Sequence, residues 1–393
     1  DGLIIKYNKD GEIEWYKNYG GSEDDEFTCV AESESGCYVG GNTSSTDFTE
    51  LNEKSYYKKD ENDQTGTMFY INSLGNIENA SINSGCNTNS FNILGDYTVE
   101  YNDKNKIGIN SAFNLFNDPS SYTGEDTYAE SNQESKMVLF SSTNTTARGG
   151  LGAINYTGTL NIGNVSISSS NNSQNSIICC GNLLRIKQYV EIKSTKNVQI
   201  LGGVNTEDGN ILVYGSFDGD LTIGSDTATS NGGYDILIAK FKYNEPEPES
   251  DEELSYIQGS LFTFGGTQDD VVSSVKATKD GGLLVGGYHY STTVDIDGDG
   301  VNDITQVNKS TTATQYYSDG FVVKFDGQDL SDTAKITFVD QIAGTGFEEV
   351  TSVAEMTNSK NEPVYVAAGC FDSPTVDAAQ EEGVFTSKGN TDS

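Results

Sequence analysis

The 393-residue chain carries 59 Asp or Glu against 23 Lys or Arg, a net charge of −36. So acidic a surface repels phosphate backbones and anionic headgroups, which argues against nucleic acid as a partner, and it attracts divalent cations. With 35% hydrophobic residues there is enough apolar material for a core, which excludes wholesale disorder, yet no window approaches the ~18 consecutive apolar residues of a membrane helix.

In chain order, one segment recurs. DGLIIKYNKDGEIEW from Asp1 returns as TGTMFYINSLGNIEN from Thr65, GGLGAINYTGTLNI from Gly149, DILIAKFKYN from Asp235, DGFVVKFDGQDL from Asp319 and a stub, EGVFTSK, from Glu382. A second segment alternates with it: GGSEDDEFTCVAESESGCYVGG from Gly20, an eroded YTVEYNDKNKIGIN from Tyr97, VQILGGVNTEDGNILVYGS from Val198, GGTQDDVVSSVKATKDGGLLVGG from Gly265 and AGTGFEEVTSVAEMTNSKNEPVYVAAG from Ala343. Each segment reads as a β-hairpin, with short β-rich runs flanking turns such as Asn8–Gly11, Thr206–Gly209 and Thr278–Gly281. Helical periodicity is essentially absent. Four strands per unit, repeated about five times from near 2, 66, 149, 236, 320 and 383, predict an all-β chain, a β-propeller spanning residues 1–393. The units exceed the roughly 40 to 50 residues of a bare blade, so insertions are expected at 42–64, 111–135, 217–232, 291–318 and 371–381, most on one rim. An acidic loop is expected at 245–253.

The residues quoted resemble bacterial secreted and surface β-propeller repeats: DG-x-I/V-x-K, then N-x-D-G and Trp, then GGS-x-D-D and DGG-x-x-V-G-G. The resemblance implies that the GG-type hairpin supplies the inner two strands of a blade and the DG-type hairpin the outer two. It implies a secreted or cell-wall-associated protein and no catalytic residues. Five inner and six outer hairpins are readable, the last incomplete. Either the ends complete one blade and close a ring, or the chain is a piece of a longer one, which the surplus favours.

The acid pairs Asp24-Asp25, Asp269-Asp270 and Glu348-Glu349 hold repeated positions, which points to turn capping rather than acid–base chemistry. His289, the one histidine, has no second ligand and is read as a rim residue. Trp15 is expected to pack between blades. Cys29, Cys37, Cys86, Cys179, Cys180 and Cys370 form no CxxC pair and are read mostly as free, buried thiols; Cys29 and Cys37 are out of register for a bridge.

One insertion carries a specific signal. Asp295-Ile296-Asp297-Gly298-Asp299-Gly300-Val301-Asn302-Asp303 offers oxygen donors at positions 1, 3 and 5, a Gly at 6, a backbone carbonyl at Val301 and an acid at 9. That order of hard oxygen donors fits Ca²⁺. It resembles the calcium loops of integrin-type propellers and dockerin-like modules; Gln306 at position 12 argues against an EF-hand. The metal set expected is therefore Asp295, Asp297, Asp299, Val301 and Asp303. Three functions remain open: an adhesion module whose rim binds a glycan or protein, a spacer or assembly subunit meeting other domains or copies of the same surface protein, and a polysaccharide-acting enzyme, for which no acid–base constellation stands out. The first is favoured, with an extracellular or cell-surface location.

Overall fold

The computed structural model describes residues 2–43, 45, 65–83, 91–103, 129–169, 173–244, 253–306, 317–378 and 384–386, apart from short breaks within them. Among them there is no helix; the chain is all-β and its strands pair antiparallel. It divides into two compact units, one built mainly from residues 1–172 and one mainly from 190–244 and 253–393.

The repeated segments assemble as four-stranded meanders. In the first unit Asp25–Ser33, Gly36–Thr43, Thr65–Asn72 and Ile77–Asn83 lie side by side in that order. In the second, Asp270–Ala277, Leu283–His289, Asp319–Phe325 and Ile336–Ala343 do the same. Asn197–Asn205, Ile211–Asp218 and Asp235–Asn244 form a third such sheet, whose fourth place is shared by Glu253–Tyr256 and Phe262–Phe264. The GG-type segment thus supplies the leading hairpin of each meander and the DG-type segment the trailing one. In the first unit Phe91–Ile93, Thr98–Asp103, Ser135–Phe140 and Gly149–Thr157 pair in sequence order, so Ser135, expected to end an insertion, begins a strand of the sheet. Of the insertion expected at 42–64, residues 46–64 lie outside the described residues, as do 245–252 of the acidic loop expected at 245–253.

Four leading hairpins are bent at the same place. The register slips between Phe27 and Cys29, Ile200 and Gly202, Val272 and Ser274, and Val350 and Ser352, so one residue bulges out of the ladder. The bulge lies opposite Gly40-Gly41, Tyr214-Gly215, Gly286-Gly287 or Ala368-Gly369 of the next strand, and in the last three it turns a carbonyl onto the second residue of that pair. A Cβ at Gly215, Gly287 or Gly369 would stand 2.0, 2.0 and 1.9 Å from the carbonyl oxygens of Gln199, Val271 and Glu349. The repeated second glycine is required by that approach.

Packing explains why the central strands read as continuous apolar runs. In the second unit Leu283, Val285, Phe321 and Val323 pack with Leu212, Tyr214, Ile236 and Ile238 of the preceding sheet in one core. The alternate residues Leu284 and Val322 face Val350 and Val353 of the following hairpin. Strand side chains alternate between faces, and here both faces are covered. In the first unit Trp15 and Tyr19 of the Gly2–Tyr7/Ile13–Tyr19 hairpin pack on Val39, Ile71 and Ile77, and Trp15 Nε1 donates to Ser73 O at 2.9 Å. Trp15 does pack on a neighbouring repeat.

The final copy behaves differently from the expectation. Val384–Thr386 pairs with Thr375–Ala378, which joins the edge of Ile336–Ala343; it does not start a trailing hairpin beside Pro363–Phe371.

Candidate metal-binding loop and the repeated acids

Asp25, Asp270 and Glu348 each begin a leading hairpin. All three are buried and clasped by a serine just past the second hairpin strand. Ser45 Oγ donates to Asp25 Oδ2 at 2.9 Å, Ser291 Oγ to Asp270 Oδ2 at 2.7 Å, and Ser373 Oγ to Glu348 Oε1. The same serine oxygens accept the amides of Glu23, Gln268 and Gly346. Gly21 and Gly266 amides donate to Asp25 and Asp270 at 2.8 and 2.6 Å. One acid of each pair, Asp25, Asp270 or Glu348, is therefore a turn clasp, as the repetition suggested, with Glu348 matching the second Asp of the other pairs. The serine partner was missed because it lies 20 to 25 residues away in a Ser-rich chain.

A second clasp was also missed. Lys240 Nζ pairs with Asp208 at 2.6 Å and Lys324 Nζ with Asp280 at 3.1 Å, joining the trailing strand's lysine to the Asp-Gly turn of the leading hairpin. The signal was readable: each T-x-D-G turn is followed by a DG-type strand with Lys at a fixed place. Burial raises the Asp280 carboxyl, but hydrogen bonds from Thr278, Lys324 and the Gly282 amide win and lower it to about 2.

His289 is not a rim residue; it is fully buried. Nδ1 lies 2.8 Å from Ser291 O and Nε2 lies 3.2 Å from Gln341 Nε2. A carbonyl only accepts, so Nδ1–H donates to Ser291 and Nε2 accepts from Gln341, the neutral tautomer. Cys179 and Cys180 are buried thiols on Gln174–Asn182, outside any disulfide; burial first, then its neighbour, pushes the Cys179 thiol far up. Cys29 faces Gly40, as expected, so no direct bridge to Cys37 forms.

The loop Asp295–Asp303 sits in the insertion between Leu283–His289 and Asp319–Phe325. Two short strands, Thr293–Val294 and Ile304–Thr305, pair at its base, and Gly265 bridges Asp295. Val294, Ile296 and Ile304 are buried in the sheet-to-sheet core, which anchors the loop. Its chain reverses through Gly298 and Gly300, at φ +74° and +86°. Asp295 accepts the amides of Gly298 and Gly300, each at 2.8 Å, and Asp303 accepts that of Ile296 at 2.7 Å. Asp295, Asp297 and Asp303 each offer an oxygen within 4.8 Å of the others. Burial, then the charges of Asp297 and Asp295, raises the Asp303 carboxyl, as expected where like charges converge. Asp299 lies outside this close set and accepts the Val301 amide at 2.7 Å; Val301 is exposed. Three carboxylates converging at this distance are a hard-oxygen donor set, which suits an alkaline-earth cation better than a thiophilic metal.

No protein-family model matches this chain, and no curated protein is similar enough in sequence to count as a relative.

Proposed function

We propose that this chain is a non-catalytic β-propeller module of about five four-stranded blades, extracellular or at the cell surface, that binds a glycan or protein ligand through its insertions and holds calcium in the Asp295–Asp303 loop. The observation that carries this reading is the contrast among its acids. Asp25, Asp270 and Glu348 are consumed by serine and amide donors inside the fold. Asp295, Asp297 and Asp303 instead converge on one another at the end of a sheet, in an insertion the repeat itself does not need. Calcium takes six to eight oxygen ligands, so the triad would supply part of the set, with the Val301 carbonyl, Asp299 or water supplying the rest. Bound there, the ion neutralises clustered carboxylates and stiffens the insertion that presents the ligand-binding surface. The face-to-face packing of consecutive meanders in the second unit supports the propeller reading.

The test is a glycan and protein array probed with the purified chain in 2 mM-range calcium and again in chelator, with polysaccharide hydrolysis assayed in parallel. The expected result is saturable binding weakened by the chelator and no hydrolysis. Hydrolysis abolished by one carboxylate substitution, or no binding in either condition, contradicts it.

A further inference from the structure

The leading hairpin that runs into the Asp295–Asp303 loop departs from two others at one core place. His289 stands opposite Asp270, where the equivalent registers set Phe371 opposite Glu348 and Phe217 opposite Val198. Phe217 and His289 are both fully buried, although a buried imidazole needs hydrogen-bond partners and a phenyl ring needs none. The acid–serine clasp does not require the histidine, since Glu348 keeps its clasp opposite Phe371. Nor does the bulge, which the Phe217 and Phe371 hairpins share. What the histidine adds is a link to the insertion.

Gln341, on Ile336–Ala343, makes that link. Its side-chain nitrogen lies 3.2 Å from His289 Nε2 and 3.1 Å from Thr305 O. One NH₂ group thus donates both to the ring and to a strand at the base of the loop. There Thr293 and Val294 pair with Thr305 and Ile304, while Asp303 N donates to Val294 O and Gln306 N to Thr292 O, each at 2.9 Å.

We propose that protonation of His289 opens the base of this loop through Gln341 and that, resting on the calcium reading, acid and calcium oppose each other there. An imidazolium carries N–H on both nitrogens. Nδ1–H keeps Ser291 O, but Nε2–H then meets the Gln341 NH₂, donor against donor. Turning the amide over gives Nε2–H an oxygen and sets that same oxygen against Thr305 O, acceptor against acceptor. No orientation serves both, and a buried charged donor is the costlier one to leave unmet, so the bond to Thr305 is lost.

The charges around the ring favour that proton. Asp270 and Asp319 stand directly opposite His289 on the two neighbouring strands and share its face. Asp235, on the preceding sheet, lies within reach of the Asp270 charge. Ile336–Ala343 presents Gln341 and the loop base presents Thr305, both uncharged, and the Phe321 ring centroid lies 6.5 Å away. Burial opposes the proton. Asp270 and Asp235 are raised to about 6 and about 7, chiefly by burial, so overall stability mixes several titrations and the ring itself must be followed.

The chain has a single histidine, so its imidazole resonances belong to His289 without assignment. Magnetic resonance of ring-labelled histidine in the full chain is followed between about pH 5 and pH 8, without calcium and with calcium at a level that calorimetry shows to saturate. Gln341→Met is measured alongside; Gln341 is half-buried, and circular dichroism checks the fold. At the upper end the ring should carry its proton on Nδ1. Saturating calcium should lower the midpoint by about 0.7 pH unit, equivalent to about fivefold weaker calcium binding once the ring is charged. Gln341→Met should bind calcium and lose the shift. Without calcium, exchange of the Gln306 amide should quicken beyond its intrinsic pH dependence as the ring titrates. A ring that stays neutral until the protein unfolds in acid overturns the proton switch, as does a Gln306 amide whose protection ignores the titration. An unchanged midpoint in a natural chain that gives calcium heat overturns the antagonism, and an equal shift in Gln341→Met overturns the link through Gln341. No calcium heat at about pH 8 overturns the calcium reading and the antagonism with it, while amide exchange still decides the proton switch by itself.

Discussion

Leu283–His289 and Pro363–Phe371 hold the same place in their hairpins, opposite the same bulge. One is buried along nearly its whole length; the other is mostly half or fully exposed. The difference is the neighbour. Leu283–His289 lies between Asp270–Ala277 and Asp319–Phe325, whereas Pro363–Phe371 has a strand on one side alone among the described residues. The local sequence makes the hairpin, and the trailing pair makes it a core.

That comparison can be broken most forcefully at the glycines. Gly287→Val places a Cβ 2.0 Å from Val271 O and 2.9 Å from Phe321, with partner strands on both sides preventing relief. We expect a loss of about 3 kcal/mol or more in urea unfolding. Gly369→Val meets Glu349 O at 1.9 Å, but its strand is free to shift on one side, so its loss should be clearly smaller. Equal losses would mean that the bulge alone sets the constraint.

The clasps come next. Asp270→Ala strips the acceptor from the Ser291 hydroxyl and the Gly266 amide inside the fold, and should cost about 2 kcal/mol. A loss indistinguishable from zero would mean water replaces the carboxylate. Asp280→Ala should cost about 1 to 2 kcal/mol, because the Lys324 side chain is only 2% exposed and keeps only the Phe325 carbonyl. Asp208→Ala should cost less, since the Lys240 side chain reaches solvent at 14%. The reverse ranking would contradict burial as the cause.

The smallest effect is a pH slope. Asp235 is buried, accepts the Asn231 amide at 2.8 Å on one oxygen and, among the described residues, has no hydrogen-bond partner on the other. Burial, reinforced by the charges of Asp270, Asp218 and Asp269, pushes its carboxyl up to about 7 from 3.8. A folded pKa above the unfolded one stabilises at low pH and loses that stability as pH rises through about 7. Asp270, raised to about 6 by burial, acts in the same direction. Tm should therefore fall from pH 4 to pH 8, and Asp235→Asn should flatten the fall by the order of 1 kcal/mol at pH 8. An unchanged slope would place its source elsewhere.

Much of the fold was legible because hairpin signals are local. The Asp-Gly turns put Gly209 and Gly281 at φ +78° and +81°, and the segments from Gly20/Thr65 and Gly265/Asp319 became the leading and trailing hairpins of their meanders, whereas the copy from Gly149 placed its two strands in different sheets. What was hidden depends on distant chain. His289 could not be placed from Tyr288-His289-Tyr290, because Gln341, 52 residues on, supplies its second hydrogen bond. Val384–Thr386 copies a trailing strand in sequence, yet it joins a different edge through Thr375–Ala378. In the candidate site the spacing found Asp295, Asp297 and Asp303, and the buried Ile296 and Ile304 explain why they converge. Asp299 could not be separated from them, since whether a carboxylate turns inward or caps the Val301 amide is settled by the wrap of the loop.

Calorimetric titration with calcium tests the central claim most directly, comparing the natural chain with Asp297→Asn/Asp303→Asn and with Asp299→Asn. The account predicts one saturable site with Kd about 10⁻⁴ to 10⁻³ M in the natural chain. It predicts retention in Asp299→Asn and loss in the double variant. Identical titrations of the natural chain and the double variant across millimolar calcium would contradict it.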